Sequence, residues 1–253
     1  MDKLYLCYNQ LKPIIGSLIE DFSAARMVEV YRKYWRPTQV KVILLAESHV
    51  FTGASDIARS VAASKVGVSL PDYPTSYVRF VYCLGYGESG LMDAPLMNNP
   101  GTTQYWKILY SCVHPISSHA DCAPITKGGT PNDSQRWKNK VDLLLLLKNQ
   151  GVWLVDASIT ALYGLPKKPS AAKRRQITTL CWDGWVRDVV CDAAPCDVIC
   201  IGNEVGEVLK TRITKDLGKA PHILPQPQAH LPGDTHLTAL QKYHYICSGA
   251  AGT

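Results

Sequence analysis

Glu47, Ser48 and His49 place a carboxylate, a hydroxyl and an imidazole on three consecutive positions. Such groups can take up a proton, attack an electrophilic carbon or stabilise charge that develops as a bond breaks. They follow the apolar run Val42 to Ala46, and a continuous run of that kind suits a strand buried on both faces of a parallel sheet. Ligands of such sheets bind outside the carboxyl ends of the strands. The corner is therefore a candidate site, although the same residues would also serve an ordinary strand exit, with Ser48 and His49 satisfying backbone groups. A second carboxylate, Asp156, ends a similar run that begins at Gly151.

The elements that must carry these groups can be read from hydrophobic periodicity. Leu11, Ile14, Ile15, Leu18, Ile19 and Phe22 recur at helical spacing, which predicts one helix from about Gln10 to Trp35, stopped by Pro37. A short helix is expected over Asp56 to Ala63, then long loops from Gly67 to Gly101 with one element through Tyr77 to Leu84. Helices are expected over Thr103 to Cys112 and from a cap at Asp133 or Ser134 to Asn149. The order helix, Gly151, strand reads as an α/β crossover. Beyond it come a helix over Ala172 to Val190, a third strand over Asp197 to Gly202 and a helix over Glu204 to Thr211. A short strand at His222 to Leu224 and a helix over Thr235 to Cys247 follow. Gly87-Glu88-Ser89-Gly90 approaches a nucleophile elbow but has Leu91 where the second glycine belongs.

The fold class expected is α/β, a three-layer α/β/α sandwich with a short, mostly parallel sheet of about four strands. A length of 253 residues accommodates it as a single domain, with residues 1–38 a helical extension packed on the sheet. A hydrophobic fraction of 46% and a charged fraction of 19% are those of a soluble globular chain, and no apolar run approaches bilayer length. No signal-peptide layout precedes Glu20 and Asp21, so a cytoplasmic, membrane-free protein is expected. Among nine cysteines, only Cys191, Cys196 and Cys200 cluster, and their spacing fits neither zinc nor iron–sulfur patterns; reduced thiols and no metal are expected. The net charge of +6 is a mild bias towards anionic partners.

Three separated stretches, Ala46-Glu47-Ser48-His49, Leu154-Val155-Asp156 and Leu224-Pro225-Gln226-Pro227, resemble in order the motifs of the uracil-DNA glycosylase superfamily. There the first reads like Gly-Gln-Asp-Pro-Tyr-His or Gly-Glu-Ala-Pro-Gly, the second ends in Leu-Leu-Asn, and the last reads like His-Pro-Ser-Pro. The resemblance runs from about Val40 to the end of the chain. It implies a uracil-DNA glycosylase-like fold and an enzyme that flips a damaged or deaminated base out of DNA and hydrolyses its N-glycosidic bond, without a cofactor. DNA is the implied partner, and a monomer the implied state.

Carried over residue by residue, Glu47 becomes the carboxylate that stabilises a cation-like sugar and orients water. Ser48, His49 and His230 are the other candidate catalytic groups. Asp156 stands where the base-reading Asn would be. An Asn amide both donates and accepts, whereas an ionised Asp only accepts, which favours a base edge offering N–H groups over uracil unless Asp156 is protonated. Phe51 is expected to stack on the base. Lys167, Lys168, Lys173, Arg174 and Arg175 are expected to hold phosphates, and Gln226 and Gln228 to wedge into the duplex. Leu224 replaces the leaving-group histidine, and His222 and His230 flank the gap without aligning. The alternatives are a catalytically weak or inactive nucleic-acid-binding module of the same fold, and a small-molecule hydrolase using Ser48 or His49.

Overall fold

The computed structural model describes residues 2–94, 96, 98–226 and 233–251, with the side chains of 233, 234, 250 and 251 left aside. The chain opens with α1 (Lys3–Ile15) and α2 (Phe22–Tyr34), which lead to β1 (Val42–Ala46). A single-turn helix α3 (Ala54–Ile57), a long irregular stretch, α4 (Thr103–Val113) and α5 (Asp133–Gln150) separate β1 from β2 (Val152–Asp156). Then come α6 (Ala171–Cys181), α7 (Arg187–Ala193), β3 (Asp197–Ile201), α8 (Asn203–Leu217), β4 (His222–Leu224) and α9 (Gly233–Ala251).

Among the described residues the sheet has four strands, all parallel, in the order β2-β1-β3-β4. Every residue of β1 and β2 is buried, because helices cover both faces. One helical set packs α1 on α6 and α6 and α7 on α8; the other packs α4 on α5 and α9. The α/β/α expectation therefore holds. Ala46 pairs with Asp156, so the carboxyl ends of β1 and β2 finish level and open on one edge of the molecule.

The helix expected over Gln10 to Trp35 is two helices. Gly16 adopts φ 73° and accepts the end of α1, and the Asp21 carboxylate takes the Ser23 amide to cap α2. The break sends Ile19 and Glu20 inward. The helix expected over Ala172 to Val190 is likewise divided, by a wide turn over Trp182–Val186, and Asn132 rather than Asp133 or Ser134 caps α5.

No regular element forms over Tyr77 to Leu84, yet most of the stretch is buried. Side-chain-to-backbone hydrogen bonds replace the missing ladder: Trp35 Nε1 donates to Tyr82 O, Leu84 N to Tyr73 Oη and Leu154 N to Tyr82 Oη. Further on, Gly87 (φ 87°) and Gly101 (φ 73°) touch backbone to backbone, where a Cβ on either would lie within 2.9 Å of the other's Cα. That close approach sets the start of α4 beside the ends of β1 and β2.

Candidate functional site

A cavity of about 240 Å³ opens beyond the ends of β1 and β2. Asp156, Ser48 and His49 line it from the strand ends, Phe80 and Arg79 from the irregular stretch, and Tyr105 from α4. Arg79 is fixed by its own backbone, which accepts from Val50 N and donates to Thr52 Oγ1, and its guanidinium reaches Asp56 at 2.9 Å. Its Nε is buried and has no hydrogen-bond partner. The volume lies below the ~300 Å³ at which drug-sized ligand pockets begin and suits one flat ring system.

His49 is fully enclosed, its Nε2 2.6 Å from Glu20 Oε1 and its Nδ1 3.2 Å from Asp156 Oδ2. Burial alone would lower the imidazole pKa; the two carboxylates outweigh it and bring it to about 10. Glu20 is held in turn by the amide of Ala161 at 2.7 Å and, more loosely, by that of Thr52 at 3.4 Å. Behind Asp156 lies the buried Arg32, paired with Glu29 and pulled down to about 10 by burial against the opposing pull of Asp156.

Glu47 sits one residue beyond the partner of Asp156, and the alternation of an extended chain turns it away from the cavity. It lines a second hollow of about 340 Å³ between the ends of β1 and β3, with Arg174, Glu204, Asn203 and Lys168. The two hollows share Tyr163 and Gln226 as a common wall. The Tyr163 hydroxyl donates to Glu47 Oε2, and Arg174 Nε lies 3.2 Å from Oε1 while its Nη2 holds Glu204 at 2.6 Å. Burial is the main cause that raises the Glu47 pKa; Tyr163, Arg174 and Lys168 oppose it and Glu204 adds to it.

Several expected placements need correction. The two carboxylates face adjacent hollows rather than one. The Ser48 hydroxyl donates to His49 O and accepts from Leu162 N, so backbone groups occupy it and it is no nucleophile. His49 has both nitrogens engaged and is no free base. Phe51 packs beside Gly164 with its amide on Tyr163 O, off the cavity; Phe80 supplies the aromatic wall, edge-on to His49 at 6.5 Å. Lys167, Lys168 and Lys173 rim a third hollow floored by Ile14, Ile15, Leu18, Leu165 and Ile177, and only Lys168 also reaches the Glu47 hollow. Arg174 turns inward, and Arg175 pairs with Glu207 at 2.8 Å. Gln226 lies on the wall the two hollows share; Gln228 and His230 lie outside the described residues. His222 pairs with Ile199 in the middle of β3 and its side chain reaches back, away from the cavity, to Asp197 at 3.1 Å.

Sequence reasoning missed Glu20, Phe80, Arg79, Tyr105 and Tyr163. Only Glu20 carried a signal: Gly16 and the cap residue Asp21 bracket it and mark a chain break inside the helical pattern.

The chain matches no family model, no curated protein and no solved structure.

Proposed function

We propose that the protein binds a flipped nucleobase in the cavity beyond β1 and β2 and hydrolyses its N-glycosidic bond, with damaged or deaminated DNA as substrate. One observation carries the reading: a ring-sized cavity with a carboxylate, Asp156, at its edge and Phe80 on its wall adjoins a second carboxylate, Glu47, across Tyr163 and Gln226. The motif order that resembles the uracil-DNA glycosylase superfamily supports it. The base lies against Phe80 with its hydrogen-bonding edge at Asp156, and the sugar sits at the shared wall.

In the reaction the C1′–N bond breaks with its electron pair leaving on the base. Glu47 stabilises the cation-like sugar, water oxygen bonds to C1′, and the water proton passes to Glu47. A carboxylate whose pKa is raised by burial is a better proton acceptor for that step than a solvated one. Lys168, at the rim of the Glu47 hollow, would hold a phosphate flanking the sugar, while Arg174 stays engaged with Glu47 and Glu204.

A second reading is favoured by the engagement of Glu47 with Tyr163 and Arg174 and by Leu224 in the leaving-group position: a binding module without turnover. Duplexes carrying uracil, hypoxanthine, xanthine or oxidised guanine, scored for abasic sites, separate the two. The enzyme reading expects abasic sites on at least one duplex and a loss of roughly a hundredfold or more in Glu47→Ala. Tight, salt-sensitive binding with equal, background cleavage by wild type and variant would favour the silent module.

A further inference from the structure

Glu20 has no place in the reaction just described, yet its side chain is wholly buried and every hydrogen bond its oxygens accept points to one task. Oε1 lies 2.6 Å from His49 Nε2 and accepts from Ala161 N, and Oε2 accepts from Thr52 N. Both nitrogens of the His49 ring therefore face carboxylate oxygens, Glu20 on one side and Asp156 on the other. A neutral imidazole carries one N–H, so its bare nitrogen would meet an oxygen lone pair; with both carboxylates ionised, only the doubly protonated ring satisfies both sides. The charged or titratable groups around the row include Arg32 with its partner Glu29 on α2, the Tyr105 hydroxyl on α4, Arg79 and Tyr82 from the irregular stretch, and Tyr8 on α1 beside Glu20. A charged N–H on Asp156 Oδ2 fixes the rotamer of that carboxylate and makes it an acceptor there.

We propose that Glu20 and His49 form a positioning strut that holds Asp156 with an acceptor-only edge towards the cavity, and that the site consequently takes bases presenting a ring N–H beside an exocyclic amino group. Guanine and its oxidised derivatives carry that edge. Uracil flanks its ring N–H with carbonyl oxygens on both sides, and those oxygens face the carboxylate lone pairs unfavourably. The substrate class rests on the base-binding reading of the cavity; the strut does not. It also assigns a function to the N-terminal helices, because Glu20 enters through the break between α1 and α2.

At the N3 edge, isocytosine in its N3–H tautomer carries an amino group where uracil has a carbonyl oxygen, its N1 bare where that of uracil bears a hydrogen, and the two are the probes of choice. Calorimetry on the full chain should give isocytosine an affinity at least about tenfold above that of uracil, the penalty for one buried mismatched polar pair. Glu20→Gln, which keeps an acceptor for His49 but removes the charge, should narrow that ratio, and Asp156→Asn, which adds a donor, should shift it towards uracil. Nitrogen-15 NMR of the ring supplies a readout that a merely structural role would leave unmoved. Both nitrogens should be protonated at neutral pH in the wild type, and in Glu20→Gln the ring should titrate at lower pH.

A singly protonated His49 at neutral pH in the wild type would overturn the strut. Equal affinities for the two bases with the ring doubly protonated would overturn its role in selection. If neither base binds while the ring is doubly protonated, the base-binding reading falls and takes the substrate class with it.

Discussion

Among single residues, the ionisable groups that matter most sit in sharply different surroundings. His49 bears a proton in the fold over a range where the same side chain in an unfolded chain has lost it. Its pKa rises from 6.5 to about 10, so its contribution to stability is complete below about 6.5 and disappears as the pH climbs towards 10. Denaturant unfolding at a series of pH values should therefore show stability declining across that window, and His49→Asn should flatten the decline. An unchanged slope in the variant would deny the charge assigned to the ring. Glu88 has the opposite sign. Burial pushes its carboxyl pKa up, but Arg136, Lys140 and Trp137 bring it down to about 2, so its stabilisation holds above about 4.5 and is lost as the pH falls through 2.

The Glu88 carboxylate lies 2.7 Å from Arg136 Nη2 and also takes the Lys140 ammonium, so removing it leaves two buried cations without their shared partner. Stranding buried charge in this way typically costs roughly 3–5 kcal/mol, so Glu88→Ala should lower the denaturation midpoint strongly. A midpoint within experimental error of the wild type would show that the cluster is hydrated and not the dry pairing described.

Among the elements, strands were the most legible part of the sequence. The runs at Val42, Val152 and Val198 are apolar because both faces of the sheet are covered, and their polar ends mark its open edge. Helical positions were legible, but their interruptions were masked: the α1–α2 break and the wide turn after α6 fall inside apolar periodicities that continue across them, and only the first carries punctuation, at Gly16 and Asp21. The break matters most, because it delivers Glu20. Phe80 and Arg79 were hidden for another reason: they sit in a stretch with no repeat, held by side-chain bonds to backbone groups from distant parts of the chain. Phe51 was the more obvious aromatic by adjacency, and adjacency does not say which way a loop residue turns.

Helix α6 carries Arg174 to both Glu47 and Glu204. Arg174 is one of the groups that lower the Glu47 pKa. With Arg174→Ala that pKa should rise further, so the acidic limb of the rate profile should move to higher pH, by up to a unit or so for the removal of one neighbouring charge. Abasic-site formation measured against pH gives the limb directly. A limb that stays in place would uncouple the pair, and a limb that moves to lower pH would contradict the assignment of Glu47 as the proton acceptor.

For the molecule as a whole, two adjoining hollows at the open edge of the sheet and a lysine-rimmed groove that shares Lys168 with one of them are the surface features a proposed DNA substrate would meet. Among the described residues, no helix is long and apolar enough to cross a membrane. If DNA follows the two hollows, Lys168→Ala should weaken binding uniformly across sequences and lessen the salt dependence by about one phosphate neighbour. Lys167→Ala and Lys173→Ala should do less, since those side chains line only the separate groove. Fluorescence anisotropy at several salt concentrations distinguishes these outcomes; a larger loss from Lys173→Ala than from Lys168→Ala would move the track of the backbone onto the groove.

Both the proposed reaction and the proposed selectivity require a nucleobase in the cavity walled by Asp156, Phe80 and Tyr105. Amide chemical-shift mapping during titration with free bases reads that occupancy without any assay of turnover. Perturbations should centre on Val50, Phe80, Tyr105 and Asp156 and saturate with a single affinity. Saturable shifts confined to Ile14, Lys173 and Ile177, or none at all for any base, would contradict it.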